Sequence, residues 1–158
     1  MLFPTHLAVA ALLGRWSRFS SAWLVAGAAL PDLLDKPLGM LGVFDLFQTV
    51  GHSALTLAVL AVPLARHSRA GRALVVGWVS HLLLDAVHMV VNGRPEHTVF
   101  LAWPLAVPSD PLTLPPVEFF FYYLWTPSFY LEVGIWLAVV AAFVPALRTR
   151  LDGWREAH

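Results

Sequence analysis

The chain has 158 residues, of which 58% are apolar and 13% are charged, about half the charged share of roughly 25% in soluble domains. This composition is typical of an integral membrane protein. The formal net charge of zero argues against a nucleic-acid partner. Because cysteine is absent, disulfides and thiolate ligands are excluded, and any metal must be held by His, Asp, Glu, backbone or water.

Five apolar segments follow one another along the chain, separated by charged or Pro- and Gly-rich breaks. They cover residues 2–14, 22–34, 52–65, 73–91 and 130–147. Only the last two approach the ~20 residues that cross a bilayer core, and the shorter three cross if they tilt or if the bilayer thins. Alternatively, the first two form a re-entrant pair. We favour five crossings, which predicts an all-α integral membrane bundle with a single domain over 1–158.

Charged residues are distributed unevenly between the two ends of these segments. If every segment crosses, eight of the ten basic residues share one side, which the positive-inside rule makes cytoplasmic. These are Arg15, Arg18, Arg66, Arg69, Arg72, Arg148, Arg150 and Arg155. The N-terminus then lies outside and the C-terminus in the cytoplasm. Eight of the ten acidic residues, Asp110 among them, and five of the seven histidines lie on the outer side.

Potential metal ligands gather on this outer side. Residues 77–88 predict a helix on which His81, Asp85 and His88 share one face. His6 begins segment one, Asp32 and Asp35 end segment two, and His52 begins segment three. Imidazoles and carboxylates are good zinc ligands. Because ionisable groups are costly within a membrane, we expect them to compensate one another around a divalent metal.

The order of these motifs resembles the membrane-bound metal-dependent hydrolases of the YdjM, or LexA-binding, type over about the first 105 residues. The matching stretches are Thr5-His6, Pro31-Asp32-Leu33-Leu34-Asp35, Gly51-His52-Ser53, His81-Leu82-Leu83-Leu84-Asp85 and Trp103-Pro104. The chain departs from that pattern at residues 47–51, where the family has a His-Arg-Gly run, and at His88, where it has Thr.

That family in turn resembles a membrane version of the zinc phospholipase C and single-strand nuclease fold. The resemblance implies that Asp32, His52, His81 and Asp85 hold one metal, with Asp85 bridging to a second held partly by His6. The resemblance also implies that the site holds one or two divalent metal ions, with zinc as the favoured metal. Further candidate ligands are His88, Glu118 and Glu132.

The resemblance also implies a hydrolase that uses a metal-activated water to cleave a phosphate ester of a phospholipid or another lipid-linked substrate. Asp32 or Asp35 would accept the proton of that water. Arg94 is a candidate contact for a phosphate oxygen, unless it pairs with Glu96, and Trp103 is a second candidate substrate contact.

The outer connection, at about 92–128, is rich in Pro and aromatic residues. It is interpreted either as a lid or lipid-entry wall, or as plain membrane anchoring. Two other function classes stay open, a metal-binding transporter and a non-catalytic membrane interaction protein. A transporter needs polar residues in the inner helix halves, and residues 9–13, 57–62 and 137–144 are almost purely apolar.

Overall fold

Every regular element in the described part of the chain is helical, which confirms the all-α prediction. The structure, a computed structural model, describes residues 1–109 and 113–156, without the side chains of 146–156. The elements are α1 (Phe3–Trp16), α2 (Ser21–Met40), α3 (Ala54–His67), α4 (Arg69–Val91), a 3₁₀ helix (Pro95–Ala102), α5 (Pro116–Tyr123) and α6 (Pro127–Glu156). Asp110 and the side chains of Arg148, Arg150 and Arg155, which entered the topology argument, lie outside the described residues.

Serine caps set the starts of α3 and α4. The Ser53 hydroxyl accepts hydrogen bonds from the backbone N–H groups of Leu55 and Thr56, and the Ser68 hydroxyl accepts one from Gly71. Such caps satisfy backbone donors that a helix leaves free at its first turn. The first cap fixes the start of α3, and His52 is the loop residue directly before that cap.

Helix α2 is longer than the sequence predicted. The predicted segment ends at residue 34, whereas the helix continues to Met40 and contains Pro31 and Pro37. A proline removes one backbone donor and bends a helix without necessarily ending it. Across the predicted end, Lys36 Nζ lies 3.3 Å from Asp32 Oδ1, an ion pair one turn apart. Asp32, Asp35 and Lys36 therefore belong to one continuous helix.

The close pair α2 and α4 forms the centre of the bundle. A Cβ atom built on Gly27 would lie 2.0 Å from the Leu74 carbonyl oxygen, and one built on Gly77 would lie 2.0 Å from that of Leu24. Only glycine permits this backbone approach, a device common between membrane helices. Helix α1 packs on α2, α3 packs on α4, and α6 packs on α1. The ends that carry the polar residues thus meet at one end of the bundle.

Two helices are long and apolar enough to cross a membrane, the segments Arg69–Val91 and Pro127–Pro145. Helix α3 is apolar but shorter, so the five predicted crossings are not confirmed. Large apolar side chains point outward along the bundle: Val59 on α3 is 74% exposed and Leu137 on α6 is 66% exposed. Extended exposed apolar surface of this kind marks contact with a membrane or a partner.

Candidate metal centre

Five of the residues predicted as ligands meet at one end of the bundle. His6 comes from the first turns of α1, Asp32 from α2, His52 from the loop before α3, and His81 and Asp85 from α4. All five side chains are buried. Two groups of three have donor atoms within 4.8 Å of one another and suit a metal ion: Asp32, His52 and His81, and His6, His81 and Asp85.

Four donor atoms define what we call the four-donor site: His52 Nε2, His81 Nε2, Asp32 Oδ1 and Asp85 Oδ2. The two imidazole nitrogens are 3.2 Å apart. His52 Nε2 lies 3.4 Å from Asp85 Oδ2 and 3.5 Å from Asp32 Oδ1, and His81 Nε2 lies 3.5 Å from Asp85 Oδ2. A tetrahedral ion with bonds of about 2.0–2.1 Å places its donors about 3.3–3.4 Å apart. These four separations match the spacing of neighbouring donors around one such ion.

The partners of the other ring nitrogens decide which atoms face the site. His81 Nδ1 lies 2.7 Å from the carbonyl oxygen of Ala28, which only accepts, so Nδ1 must carry the proton. His52 Nδ1 lies 2.8 Å from Asp35 Oδ2 and donates to that carboxylate. When both rings are neutral, the two Nε2 atoms present lone pairs to each other across 3.2 Å, and a metal ion between them would accept both. Without a metal, a second proton on His52 fills this place: burial lowers the pKa of the ring, but hydrogen bonds with Asp32, Asp35 and Asp85 raise it to about 10.

Asp85 also connects the four-donor site to His6. While its Oδ2 faces His52 and His81, its Oδ1 lies 3.2 Å from His6 Nε2 and 3.0 Å from the Met1 amino nitrogen. Neither ring nitrogen of buried His6 makes a hydrogen bond, and its ring stacks on His81 at 3.7 Å between centroids. Asp85 thus directs one oxygen toward the four-donor site and the other toward His6. A bridging ligand, as the family resemblance implies for Asp85, requires this arrangement.

Asp35 lies behind His52 rather than in the site. Its Oδ2 accepts from the backbone N–H groups of Thr49 at 2.6 Å and His52 at 3.1 Å, in addition to the His52 ring. Its Oδ1 accepts from Gly51 N at 2.9 Å and from the Thr49 hydroxyl at 3.0 Å. Because both oxygens are engaged, these contacts give no support to the expectation that Asp35 takes a proton from water. They fix the loop and orient His52, as a carboxylate behind a metal-binding histidine does.

The remaining predicted residues lie around this centre or away from it. His88 is buried one turn after Asp85, with Nδ1 unpartnered and Nε2 3.3 Å from the Asn92 amide nitrogen, outside both groups. Glu118 is exposed on α5, away from both groups. Arg94 contacts the His97 ring at 3.0 Å. Trp103 accepts a hydrogen bond from Ser53 through its carbonyl.

A cavity of about 570 Å³ adjoins the centre. Asp32, Asp85 and His88 line it, whereas Arg94 and Trp103 do not. This arrangement gives no support to the two predicted substrate contacts. The cavity wall is mostly apolar and includes side chains from α2, from residues 46–48 and from α5.

Sequence reasoning missed two polar residues near the site. Lys36 lines the cavity beside Asp32, and Gln48 donates to Asp85 Oδ2 at 3.3 Å. Glu132 on α6, a candidate ligand from the sequence, is buried outside both metal-ligand groups and accepts from the Thr5 and Tyr123 hydroxyls. Burial, followed by the hydrogen bond to Glu132, raises the pKa of Tyr123, so the phenol stays protonated and donates. The sequence signal for the position of Lys36 was its spacing of four residues from Asp32, which puts both side chains on one face of a helix.

No family model, curated protein or solved structure matches the chain. The assignment of a function therefore depends on the geometry of the site. The similarity to the YdjM-type hydrolases depends on the sequence motifs alone and stays a hypothesis.

Proposed function

We propose that the protein is a membrane-embedded, metal-dependent hydrolase that cleaves a phosphate ester of a phospholipid or another lipid-linked substrate. The observation that carries the proposal is the pair of Nε2 atoms, His52 and His81, 3.2 Å apart with their Nδ1 protons already donated. Asp32 and Asp85 complete a donor set of two nitrogens and two oxygens that suits zinc.

The residues around the site have distinct roles in this proposal. A divalent ion held there supplies an acidified water and a positive charge that stabilises a phosphate oxygen. Asp35 and the Ala28 carbonyl hold the two imidazoles in the required tautomer. Asp32 reaches the cavity, so its carboxylate is placed to accept a proton from water there. Gln48 restrains Asp85.

The membrane location of the proposal has separate support. The two long apolar helices and the exposed apolar side chains of α3 and α6 suit a lipid environment. If all five segments cross, the positive-inside rule favours the extracytoplasmic side of the inner membrane for the site. A site at one end of the bundle, beside an apolar cavity, lies at the depth where lipid headgroups would reach it.

The test combines metal content with hydrolysis. Purified protein in detergent is analysed for bound metal and then assayed on phosphodiesters and phospholipids, with His81→Gln as the site variant. His67→Gln is the matched control because His67 is an exposed histidine at the end of α3. We expect His81→Gln to lose metal and hydrolysis and His67→Gln to keep both. Hydrolysis by metal-free protein would refute the proposal. Metal binding without hydrolysis would favour the transporter or the interaction protein.

A further inference from the structure

The cavity becomes positively charged when a metal is bound. Among the described residues that line it, the carboxylates are Asp32 and Asp85, and the ammonium groups are those of Lys36 and of Met1, whose amino group pairs with Asp85. One divalent ion in the four-donor site balances both carboxylates. The Lys36 ammonium is then left beside a neutralised site, and a second ion at His6 would add further positive charge. The metal-loaded cavity therefore carries a net positive charge, which an anionic ligand would balance.

Lys36 is positioned to meet such an anion. Its Nζ lies 3.3 Å from Asp32 Oδ1, and its other contacts are neutral: the Phe47 carbonyl oxygen at 3.4 Å and the Phe47 ring at 5.9 Å. The side chain is 34% exposed, so the ammonium can turn from Asp32 toward a ligand in the cavity. It lies one helical turn from a ligand of the four-donor site.

The rest of the cavity suits hydrocarbon. We call Phe47, Phe100, Phe119 and Phe120 the aromatic wall, since all four line the cavity. The wall extends from the loop after α2, past the 3₁₀ helix, to α5, whose Phe120 is 42% exposed. A volume of about 570 Å³ exceeds what a phosphate group alone would fill. The cavity thus has a cationic end and an apolar end.

We infer that this cavity binds an amphiphile whose phosphate group pairs with Lys36 and whose hydrocarbon chain lies against the aromatic wall. The inference builds on the proposed function, because the metal supplies the positive charge that leaves Lys36 available. Lys36 is the residue that selects an anionic headgroup, and the aromatic wall selects a long-chain ester over free phosphate.

The experiment is calorimetric titration of zinc-loaded protein in nonionic detergent with inorganic phosphate and with dodecyl phosphate, corrected for titration into micelles alone. Wild type should bind dodecyl phosphate at least about tenfold more tightly than inorganic phosphate. Lys36→Met should weaken both by about tenfold or more, and Lys36→Arg should restore most of the loss. Arg66→Met is the control for removal of an exposed cation on α3.

The aromatic wall is tested with adjacent phenylalanines. Phe120→Ala should weaken dodecyl phosphate alone, and Phe121→Ala, which removes a more exposed ring that does not line the cavity, should weaken neither ligand. Equal affinity for the two ligands would show a site for free phosphate and overturn the amphiphile. Wild-type affinity of Lys36→Met would overturn the role of Lys36.

Failure of the proposed function gives a different result. If wild type takes up no zinc, the metal-dependent hydrolase is refuted, and the same titrations are made with metal-free protein. Binding of dodecyl phosphate that depends on Lys36 then still supports the amphiphile site. Binding that Lys36→Met leaves unchanged, or no binding at all, overturns it.

Discussion

Asp35→Asn should weaken metal binding although Asp35 does not face the metal centre. The asparagine amide has nearly the shape of the carboxylate but replaces one acceptor oxygen with a donor NH₂ group. Oδ2 accepts three N–H groups and Oδ1 accepts Gly51 N–H and the Thr49 hydroxyl. The less costly orientation therefore puts NH₂ at the Oδ1 position, where the Thr49 hydroxyl turns to accept and the Gly51 N–H loses its partner.

Two separate losses follow from this geometry. The unpartnered Gly51 N–H costs about 1–3 kcal/mol of folding free energy. The hydrogen bond from His52 Nδ1 loses the charge on its acceptor and becomes roughly half as strong, which loosens the imidazole and lowers its basicity. Losing a partner behind a metal-binding histidine costs about 10–100-fold in metal affinity, which corresponds to about 1.4–2.7 kcal/mol.

The assay is competition for zinc between the protein and a chromophoric chelator, paired with thermal unfolding in the same detergent. Asp45→Asn is the control for an exposed aspartate, and Leu57→Ala is the control for destabilisation in an apolar cluster next to Trp78 and Leu82. Leu57→Ala should lower the melting temperature and keep the zinc affinity. A zinc affinity of Asp35→Asn within twofold of wild type would refute the role of Asp35 as the residue that orients His52.

Three other perturbations test the packing and the metal. Gly77→Leu forces a side chain against the Leu24 carbonyl, so it should lower the free energy of unfolding by more than about 1–3 kcal/mol. Thermal unfolding measures this loss. The control is Gly134→Ala, which should change the stability little because a Cβ there meets nothing within 4 Å. Glu132→Ala removes the acceptor of the Thr5 hydroxyl and one of the two acceptors of the Tyr123 hydroxyl, which keeps the Ser128 carbonyl. It should cost about 1–3 kcal/mol, and an unchanged melting temperature would contradict the network. Zinc added to metal-free wild type should stabilise the fold by about 1.4 kcal/mol for each tenfold excess over Kd, and His81→Gln should show no such rise in melting temperature.

The meeting of the ligands was predictable because it follows from two simple periodicities. Residues four apart share a helix face, which puts His81 next to Asp85. Helices that alternate in direction bring the start of α1, the far end of α2 and the start of α3 to one end of the bundle. His6, Asp32 and His52 are therefore neighbours in the structure although 46 residues separate the first from the last.

The roles of individual residues were less predictable, because they depend on a helix end and on long-range contacts. The sequence predicts that segment two ends at residue 34, which leaves Lys36 outside the helix and hides its place beside Asp32. Asp35 looked equivalent to Asp32 in the sequence. Its five hydrogen bonds to residues 49–52 distinguish it, and no spacing rule predicts the path of that loop.

The polar cluster is a cost to the fold that a bound cation would reduce. Two imidazoles and two carboxylates are buried together there, and burial of charged groups costs free energy that their ion pairs offset only in part. The close glycine contacts between α2 and α4 act against this cost, because they hold Asp32 and His81 on facing helices at a fixed separation. A metal that binds the folded state and not the unfolded chain adds stability to this arrangement. Metal affinity and stability should therefore change together in site variants and separately in variants such as Leu57→Ala.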